Sequence, residues 1–83
     1  MEGWRLKKRP VCLEKRFEFE SYEKNRDFLD DLGDFCEKLN RYPDISFGKT
    51  YANITIRPLD QNEKDGISND DYEFATNIDL LIK

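Results

Sequence analysis

Two stretches of the chain alternate between hydrophobic and polar residues. Within residues 11–20 the apolar residues Leu13, Phe17 and Phe19 are separated by charged residues only. A period of two with charges on one side is typical of a half-buried antiparallel strand. Residues 11–20 are therefore predicted to form a strand. Lys15 interrupts the apolar side, which predicts a bulge or a strand edge near it.

The second alternating stretch begins at Thr50. Its apolar set is Ala52, Ile54 and Ile56, and its polar set is Tyr51, Asn53, Thr55 and Arg57. Successive side chains of a strand point to opposite faces of the sheet. The apolar set is expected to lie under helices, and the polar set on the face away from them. Residues 44–47 are a candidate edge strand just before this one, with Gly48 as the turn.

Two further stretches repeat apolar residues at helical spacing. The first begins after Ser21, a good N-cap, and ends near Asn40. Its apolar stripe consists of Phe28, Leu29, Leu32, Phe35, Cys36 and Leu39. The other side is predicted to be a solvated face and carries Glu23, Asp27, Asp30, Asp31 and Asp34. The second helix begins at Ser68 with Asp71 in a capping-box spacing, and its stripe is Phe74, Ala75, Ile78, Leu81 and Ile82.

The order strand, helix, strand, strand, helix predicts the α+β class: an antiparallel β-sheet with two α-helices on one face. The 83 residues suit one domain, which is predicted over residues 11–83. Residues 1–10 are predicted to be a basic N-terminal segment, a solvated tail with Trp4 folded back on the domain. A core of this size supplies only about 3–5 kcal/mol unless something else contributes. This favours a homodimer.

Charge and composition narrow the class of partner. Charged residues make up 39% of the chain and aromatic residues 13%, which favours a folded domain with a charged surface. The net charge of −4 argues against nucleic acid as the main partner. No apolar run approaches the roughly 20 residues of a membrane span, and no secretory signal follows Met1. We therefore expect a cytoplasmic protein without a membrane partner.

The chain contains no histidine. Its absence excludes serine–histidine and cysteine–histidine nucleophile pairs, histidine metal ligands and imidazole acid–base chemistry. Cys12 and Cys36 fit no metal-ligand spacing, and both are predicted to be inert thiols on apolar faces. The residue types therefore predict no catalytic residue, no cofactor and no metal.

Several short motifs nevertheless match one enzyme family. They are Phe17-Glu18-Phe19, the helix end Glu37-Lys38-Leu39, Pro43, Ile54-Thr55-Ile56, and Gly66-Ile67-Ser68 followed by Asp71. With these motifs the chain resembles the pterin-4a-carbinolamine dehydratases over nearly everything after residue 10. The resemblance implies the fold of that family and an oligomer, commonly a dimer.

The departures from the family concern its catalytic positions. The resemblance places the family's paired histidines at Arg41 and Tyr42 and a third histidine at Leu59. Dehydration of a 4a-carbinolamine needs one group that protonates the departing hydroxyl and another that takes the N5 proton, and imidazole suits both roles. Arginine stays protonated, tyrosine has an ordinary pKa of about 10, and leucine has no proton to transfer. We therefore expect a protein of this fold that is not an enzyme.

A narrower similarity covers residues 42–56, 13–19 and 26–30. These segments are similar to the pterin dehydratase-like Rubisco assembly factors of α-carboxysome gene clusters. This similarity implies a dimeric, non-catalytic chaperone that binds the Rubisco large subunit during α-carboxysome biogenesis and so serves carbon fixation. It adds carboxysome association as an alternative to a purely cytoplasmic location. The hypothesised partner-binding residues are Arg41, Tyr42, Tyr51, Asn53, Thr55 and Arg57.

Other interpretations stay open. One is a divergent 4a-hydroxytetrahydrobiopterin dehydratase that uses carboxylates such as Asp44 and Asp60, and another is a dimerisation cofactor of a different protein. Arg41 is also explained as a cation that suits a helix C-terminus, and Tyr42 as a packing ring. The polar residues of the last strand are equally consistent with plain solvent exposure or with a dimer interface.

Overall fold

The computed structural model describes residues 3–8, 11–58 and 66–82. In chain order the elements are β1 (Arg5–Lys8), β2 (Val11–Glu18), α1 (Tyr22–Leu39), β3 (Asp44–Phe47), β4 (Tyr51–Ile56) and α2 (Asn69–Asp79). The four strands form one antiparallel sheet in the order β1-β2-β4-β3. The predicted α+β architecture is confirmed, and β3 is the edge strand that the sequence suggested.

The core lies between one face of the sheet and both helices. Residues of β2 and β4 that stand opposite one another supply the sheet side, as in the pairs Leu13↔Ile56 and Phe17↔Ala52. The helices supply Phe28, Leu32 and Cys36 from α1 and Phe74, Ala75 and Ile78 from α2, all of them buried. Fully burying one such large apolar side chain contributes about 1.5–3 kcal/mol. Neither α1 nor α2 covers the other face of the sheet.

The helix ends follow the predicted caps. Ser21 Oγ accepts a hydrogen bond from the Lys24 amide at 3.2 Å, and Asn40 ends α1 in a left-handed conformation with a φ of 52°. At the start of α2 the Asp71 amide donates to Ser68 Oγ at 3.3 Å, and the Ser68 amide donates to Asp71 Oδ2 at 2.9 Å. This reciprocal pair is the capping box expected from the sequence.

The N-terminal segment corrects the prediction of a solvated tail. Arg5–Lys8 pairs with β2 in register, from Arg5↔Glu14 to Lys8↔Val11. The expected return of Trp4 to the domain is confirmed, since its side chain is buried in the core and its ring lies 6.0 Å from that of Phe17. All four residues of β1 are exposed. Their sequence therefore lacks the alternation of apolar and polar residues that predicts a half-buried strand. Pairing with β2 makes β1 a strand.

Lys15 occupies the apolar side of β2 without a bulge, because the register of β2 with β4 runs unbroken from Leu13 to Glu18. Its ammonium lies 4.7 Å from the centroid of the Phe17 ring and pairs with Asp79 Oδ1 at 2.8 Å. The indole N–H of Trp4 donates to the same carboxylate, at 3.1 Å to Oδ2. A lysine can bury its stem while its charged end stays paired, so the predicted bulge was wrong.

Three details of the helical stripes also differ from the prediction. Leu39 is 52% exposed at the end of α1. Because α2 ends at Asp79, Leu81 and Ile82 follow the helix and are not part of it. Asp31, predicted on a solvated face, is half-buried.

Asn25 on α1 is a buried polar residue that the apolar pattern did not reveal. Its Nδ2 donates to the carbonyl oxygens of Gly48, Lys49 and Tyr51 at 2.9, 3.3 and 3.1 Å. These contacts fix the turn between β3 and β4 against the start of α1. Buried carbonyl groups need such donors, because an unpaired one costs about 1–3 kcal/mol.

The two cysteines lie in different surroundings. Cys36 belongs to the core, as predicted. Cys12 is also buried, but alternation along β2 places it on the sheet face opposite Leu13. The prediction that both thiols lie on apolar faces is therefore wrong for Cys12. Within the described ranges no helix is long and apolar enough to span a bilayer.

Candidate functional site

Arg41 follows the cap of α1 and turns its side chain into the protein. Its Nη2 donates to Asp71 Oδ1 at 2.6 Å and to the Arg57 carbonyl oxygen at 3.0 Å. The guanidinium also lies 4.4 Å from the centroid of the Phe74 ring. The Asp71 side chain is completely buried and that of Arg41 is 15% exposed. Arg41 thus joins the ends of α1 and β4 to the start of α2.

Tyr42 has the opposite orientation and is 68% exposed. Its backbone follows a residue whose side chain is fixed at three points, while its own ring is free to meet a partner. Of the two residues at which the resemblance places paired histidines, one is therefore an internal ion-pair partner and the other a surface ring. The predicted direct contact of Arg41 with a partner protein stays a prediction. The geometry of Arg41 suits a residue that positions Tyr42.

The sheet face away from the helices carries the predicted polar set of β4. Tyr51, Asn53 and Thr55 are half-buried there and Arg57 is exposed, whereas the alternate residues are fully buried beneath the helices. The predicted orientation of this set is confirmed. Residues opposite one another in antiparallel strands share a face, so the register adds neighbours from every strand. We call this surface the open sheet face; it comprises Arg5, Lys7, Glu14, Arg16, Glu18, Asp44, Ser46, Tyr51, Asn53, Thr55 and Arg57.

The ring of Tyr51 is held in a defined place on this face. The Arg16 guanidinium lies 4.0 Å from the ring centroid. The ring also approaches Gly48 so closely that a Cβ atom at that position would collide with it. A rigid aromatic side chain loses little conformational entropy when it contacts a partner.

Ion pairs cover much of the open sheet face. Arg5 Nη2 lies 2.8 Å from Glu14 Oε1, and Arg57 Nε lies 2.8 Å from Asp44 Oδ2. The hydrogen bond to Asp44 and the charge of that carboxylate raise the pKa of Arg57, so this cation stays charged. Exposed pairs of this kind contribute little to stability. A charged partner can therefore exchange them at small cost.

Tyr42 and the open sheet face meet at a cavity of about 200 Å³, whose walls include Tyr42, Asp44, Thr55 and Arg57. Thr55 also borders a second depression, which extends along Asn53 and Arg16. The structure thus brings five of the six predicted site residues onto one continuous surface. The sixth, Arg41, also lines the first cavity, although its side chain is only 15% exposed. Whether these residues bind a partner stays a prediction.

Some residues that border the candidate site were not predicted from the sequence. Arg5, Glu14 and Arg16 border the same depression as Asn53 and Thr55. Their position on this face depends on the pairing of β1 with β2. The sequence indicated it only through the charged residues that alternate along β2. Leu59 and Asp60, named as a former histidine position and as a candidate carboxylate, lie outside the described residues. Among the residues that are described, no cluster of cysteine, aspartate and glutamate side chains could hold a metal ion.

Comparison with known proteins places these features in a family. The family model described as pterin 4 alpha carbinolamine dehydratase matches residues 1–81. A protein of Rubrobacter xylanophilus with the provisional name pterin-4-alpha-carbinolamine dehydratase is 33% identical over 69 residues. That match covers 83% of this chain and 62% of the Rubrobacter protein. A Saccharolobus islandicus protein with the same provisional name is 30% identical over 81 residues, or 98% of this chain and 79% of its own.

Two solved structures have the same fold. One is described as a pterin dehydratase-like protein identified as a RuBisCO assembly factor in the alpha-carboxysome. It is 35% identical, has a TM-score of 0.83, and the match covers 98% of this chain and 90% of the other. The second is a transcriptional coactivator/pterin dehydratase from Brucella melitensis, with a TM-score of 0.82, coverage of 100% and 85%, and 16% identity. The second shows the fold alone. The sheet under two helices, the capping box at Asp71 and the match over residues 1–81 together establish that this chain belongs to the pterin-4a-carbinolamine dehydratase family.

Proposed function

We propose that this protein is a non-catalytic assembly factor that binds the large subunit of Rubisco in an α-carboxysome system. The observation that carries the proposal is the buried ion pair of Arg41 with Asp71. It stands where the resemblance places a pair of histidines, and an arginine, which stays protonated, cannot take the acid–base role of imidazole. The similarity to a protein described as a RuBisCO assembly factor, over 98% of this chain, supports the proposal.

The open sheet face and Tyr42 are the proposed contact surface. Tyrosine and arginine carry much of the binding energy in protein interfaces, and this surface presents both types beside exposed ion pairs. Binding there would cover an apolar or charged surface of the large subunit until its subunits pair. The factor would be released when the large subunits bind one another in assembled Rubisco more tightly than they bind the factor.

Co-expression with a Rubisco large subunit tests the proposal. We expect Tyr42→Ala and Tyr51→Ala to lower the yield of assembled Rubisco on native gels while the fold of the factor stays intact by circular dichroism. Asp34→Ala is the matched control, because Asp34 is exposed on α1, away from the open sheet face. A loss with the control and none with the two tyrosine variants would overturn the proposed surface.

We also propose that the protein acts as a homodimer paired through β3. Every residue of β3 is exposed, including Ile45 at 40% and Phe47 at 63%. At the other edge of the sheet, β1 carries the lysines that commonly protect an edge strand from pairing, whereas β3 has no lysine. A core of this size also gains from association.

Sedimentation equilibrium tests the dimer. The chain of 9.9 kDa is expected to sediment at about twice its mass at micromolar concentration. Phe47→Lys places a charge on the edge and is expected to give a monomer. Leu6→Lys makes the same kind of change on β1, where no loss of the dimer is expected. A monomeric unsubstituted chain, or equal effects of the two lysines, contradicts pairing through β3.

A dehydratase is the second candidate, because the relatives from Rubrobacter and Saccharolobus bear that provisional name. It would need carboxylates such as Asp44 as acid and base. Stopped-flow measurement of 4a-carbinolamine decay separates the candidates. Our proposal predicts the uncatalysed rate, whereas saturable acceleration that Asp44→Asn abolishes would establish the enzyme.

A further inference from the structure

A groove of about 420 Å³ lies on the helix side of the sheet, between α1 and the residues that follow α2. Its apolar floor is formed by Phe19, Phe28, Leu81 and Ile82, and its rim carries Asp27, Asp30 and Asp31. We call it the helix groove. Because the helices cover one face of the sheet, the helix groove is separated from the open sheet face by the core.

The floor of the helix groove is firmly seated yet accessible. The rings of Phe19 and Phe28 lie 5.2 Å apart, and Phe28 is buried in the core. Leu81 packs against that core, while Ile82 is 45% exposed. The apolar surface therefore continues from the core to solvent, as it does in grooves that accept the apolar side of a peptide.

The rim is strongly acidic and lacks internal compensation. Asp27, Asp30 and Asp31 are spaced by three and four residues, which places them on one side of α1. No lysine or arginine within residues 3–8, 11–58 and 66–82 comes within ion-pair distance of these three carboxylates. Lys24, which also lines the groove, pairs with Glu20 at 3.1 Å. Like charges at this spacing disfavour the helix, so the fold gains no stability from the cluster.

We propose that the helix groove binds a cationic amphipathic peptide segment of a partner protein. Its apolar side chains would lie on Phe19, Leu81 and Ile82, and its lysine or arginine side chains would meet the carboxylates of the rim. Charge complementarity favours this occupant, because the acidic rim repels anionic lipid and nucleic acid. A symmetric contact between two copies of the chain would set the same carboxylates against each other. The proposal does not depend on Rubisco binding, because the helix groove and the open sheet face are different surfaces.

The probe is a fluorescein-labelled peptide of about 14 residues, built only from leucine and lysine at helical spacing. Fluorescence anisotropy is expected to give saturable binding to the full chain. Asp27→Asn combined with Asp31→Asn is expected to weaken binding about tenfold. Ile82→Ser, on the floor, is expected to weaken it by a similar factor, because it removes apolar contact area.

Matched controls separate the groove from general attraction to an acidic protein. Asp34→Asn combined with Glu73→Gln makes the same change in charge at exposed positions outside the groove, and Leu80→Ser changes an exposed apolar neighbour of Ile82. Both controls are expected to bind the peptide as the unsubstituted chain does. Equal losses in the groove and control variants would overturn the proposal, and so would the absence of saturable binding. Self-association that the groove variants abolish would identify a second copy as the occupant and would also overturn it.

Discussion

Replacing Arg41 with methionine removes the cation that Asp71 faces inside the protein. The carboxylate is completely buried, and it also accepts a hydrogen bond from the Ser68 amide at 2.9 Å. Breaking a buried pair by removing one member costs about 3–5 kcal/mol, because the other charge stays buried without the cation that paired with it. A domain of this size has about 3–5 kcal/mol of stability from its core. We therefore expect Arg41→Met to be partly or largely unfolded at 25 °C.

Urea unfolding followed by the fluorescence of Trp4 measures this cost, since Trp4 is buried in the core and is the one tryptophan of the chain. The double variant Arg41→Met with Asp71→Asn is expected to be more stable than Arg41→Met alone by about 2 kcal/mol, because it removes the buried negative charge together with the cation, while the amide oxygen still accepts from Ser68. Lys24→Met removes an exposed pair and is expected to cost less than about 0.5 kcal/mol. Additive effects of the two substitutions, or a loss below about 1 kcal/mol for Arg41→Met, would refute the reasoning.

Two further predictions concern buried polar groups. Asn25→Asp sets a carboxylate against three carbonyl oxygens, and is expected to lower the free energy of unfolding by about 3 kcal/mol at neutral pH, measured with urea. The control Asn77→Asp, at an exposed position of α2, is expected to change it little. Equal effects of the two substitutions contradict the assigned hydrogen bonds. Burial raises the pKa of the Cys36 thiol above its ordinary 9.0, and the Arg41 charge partly opposes the shift. As the pH rises, the Cys36 thiol ionises at a lower pH in the unfolded chain than in the folded one. The contribution of the Cys36 thiol to stability is therefore fully present below pH 9.0 and is lost as the pH rises through the folded-state pKa. The difference in unfolding free energy between the unsubstituted chain and Cys36→Ala should therefore shrink as the pH rises above 9.0, and a constant difference contradicts the shift.

The parts of the fold that apolar spacing controls were predictable. The alternation in β2 and β4 and the caps at Ser21 and Ser68 are local signals, and the structure repeats them. β1 has no such signal, because its four residues are all exposed and only the backbone pairing with β2 makes it a strand. Lys15 broke the expected pattern for a related reason, since its partner Asp79 is 64 residues away in the chain.

The polar strand of the candidate site was predictable from the sequence, but the inward orientation of the Arg41 side chain was not. The orientation of Tyr51, Asn53 and Thr55 follows from a period of two. The inward turn of Arg41 depends on Asp71, which is 30 residues further along the chain. Pairings over such distances come from the packing of α1 against α2, which no local pattern encodes. The helix groove was hidden for the same reason, because its floor combines residues from two distant segments.

Direct binding to the purified Rubisco large subunit tests the central claim most closely. Titration calorimetry of the unsubstituted chain is expected to give saturable binding. Tyr42→Ala and Tyr51→Ala are each expected to cost about 1–2 kcal/mol, which is roughly five- to thirtyfold in affinity, and Asp34→Ala is expected to bind as the unsubstituted chain does. No binding by the unsubstituted chain, or equal affinity of the tyrosine variants, would contradict the account.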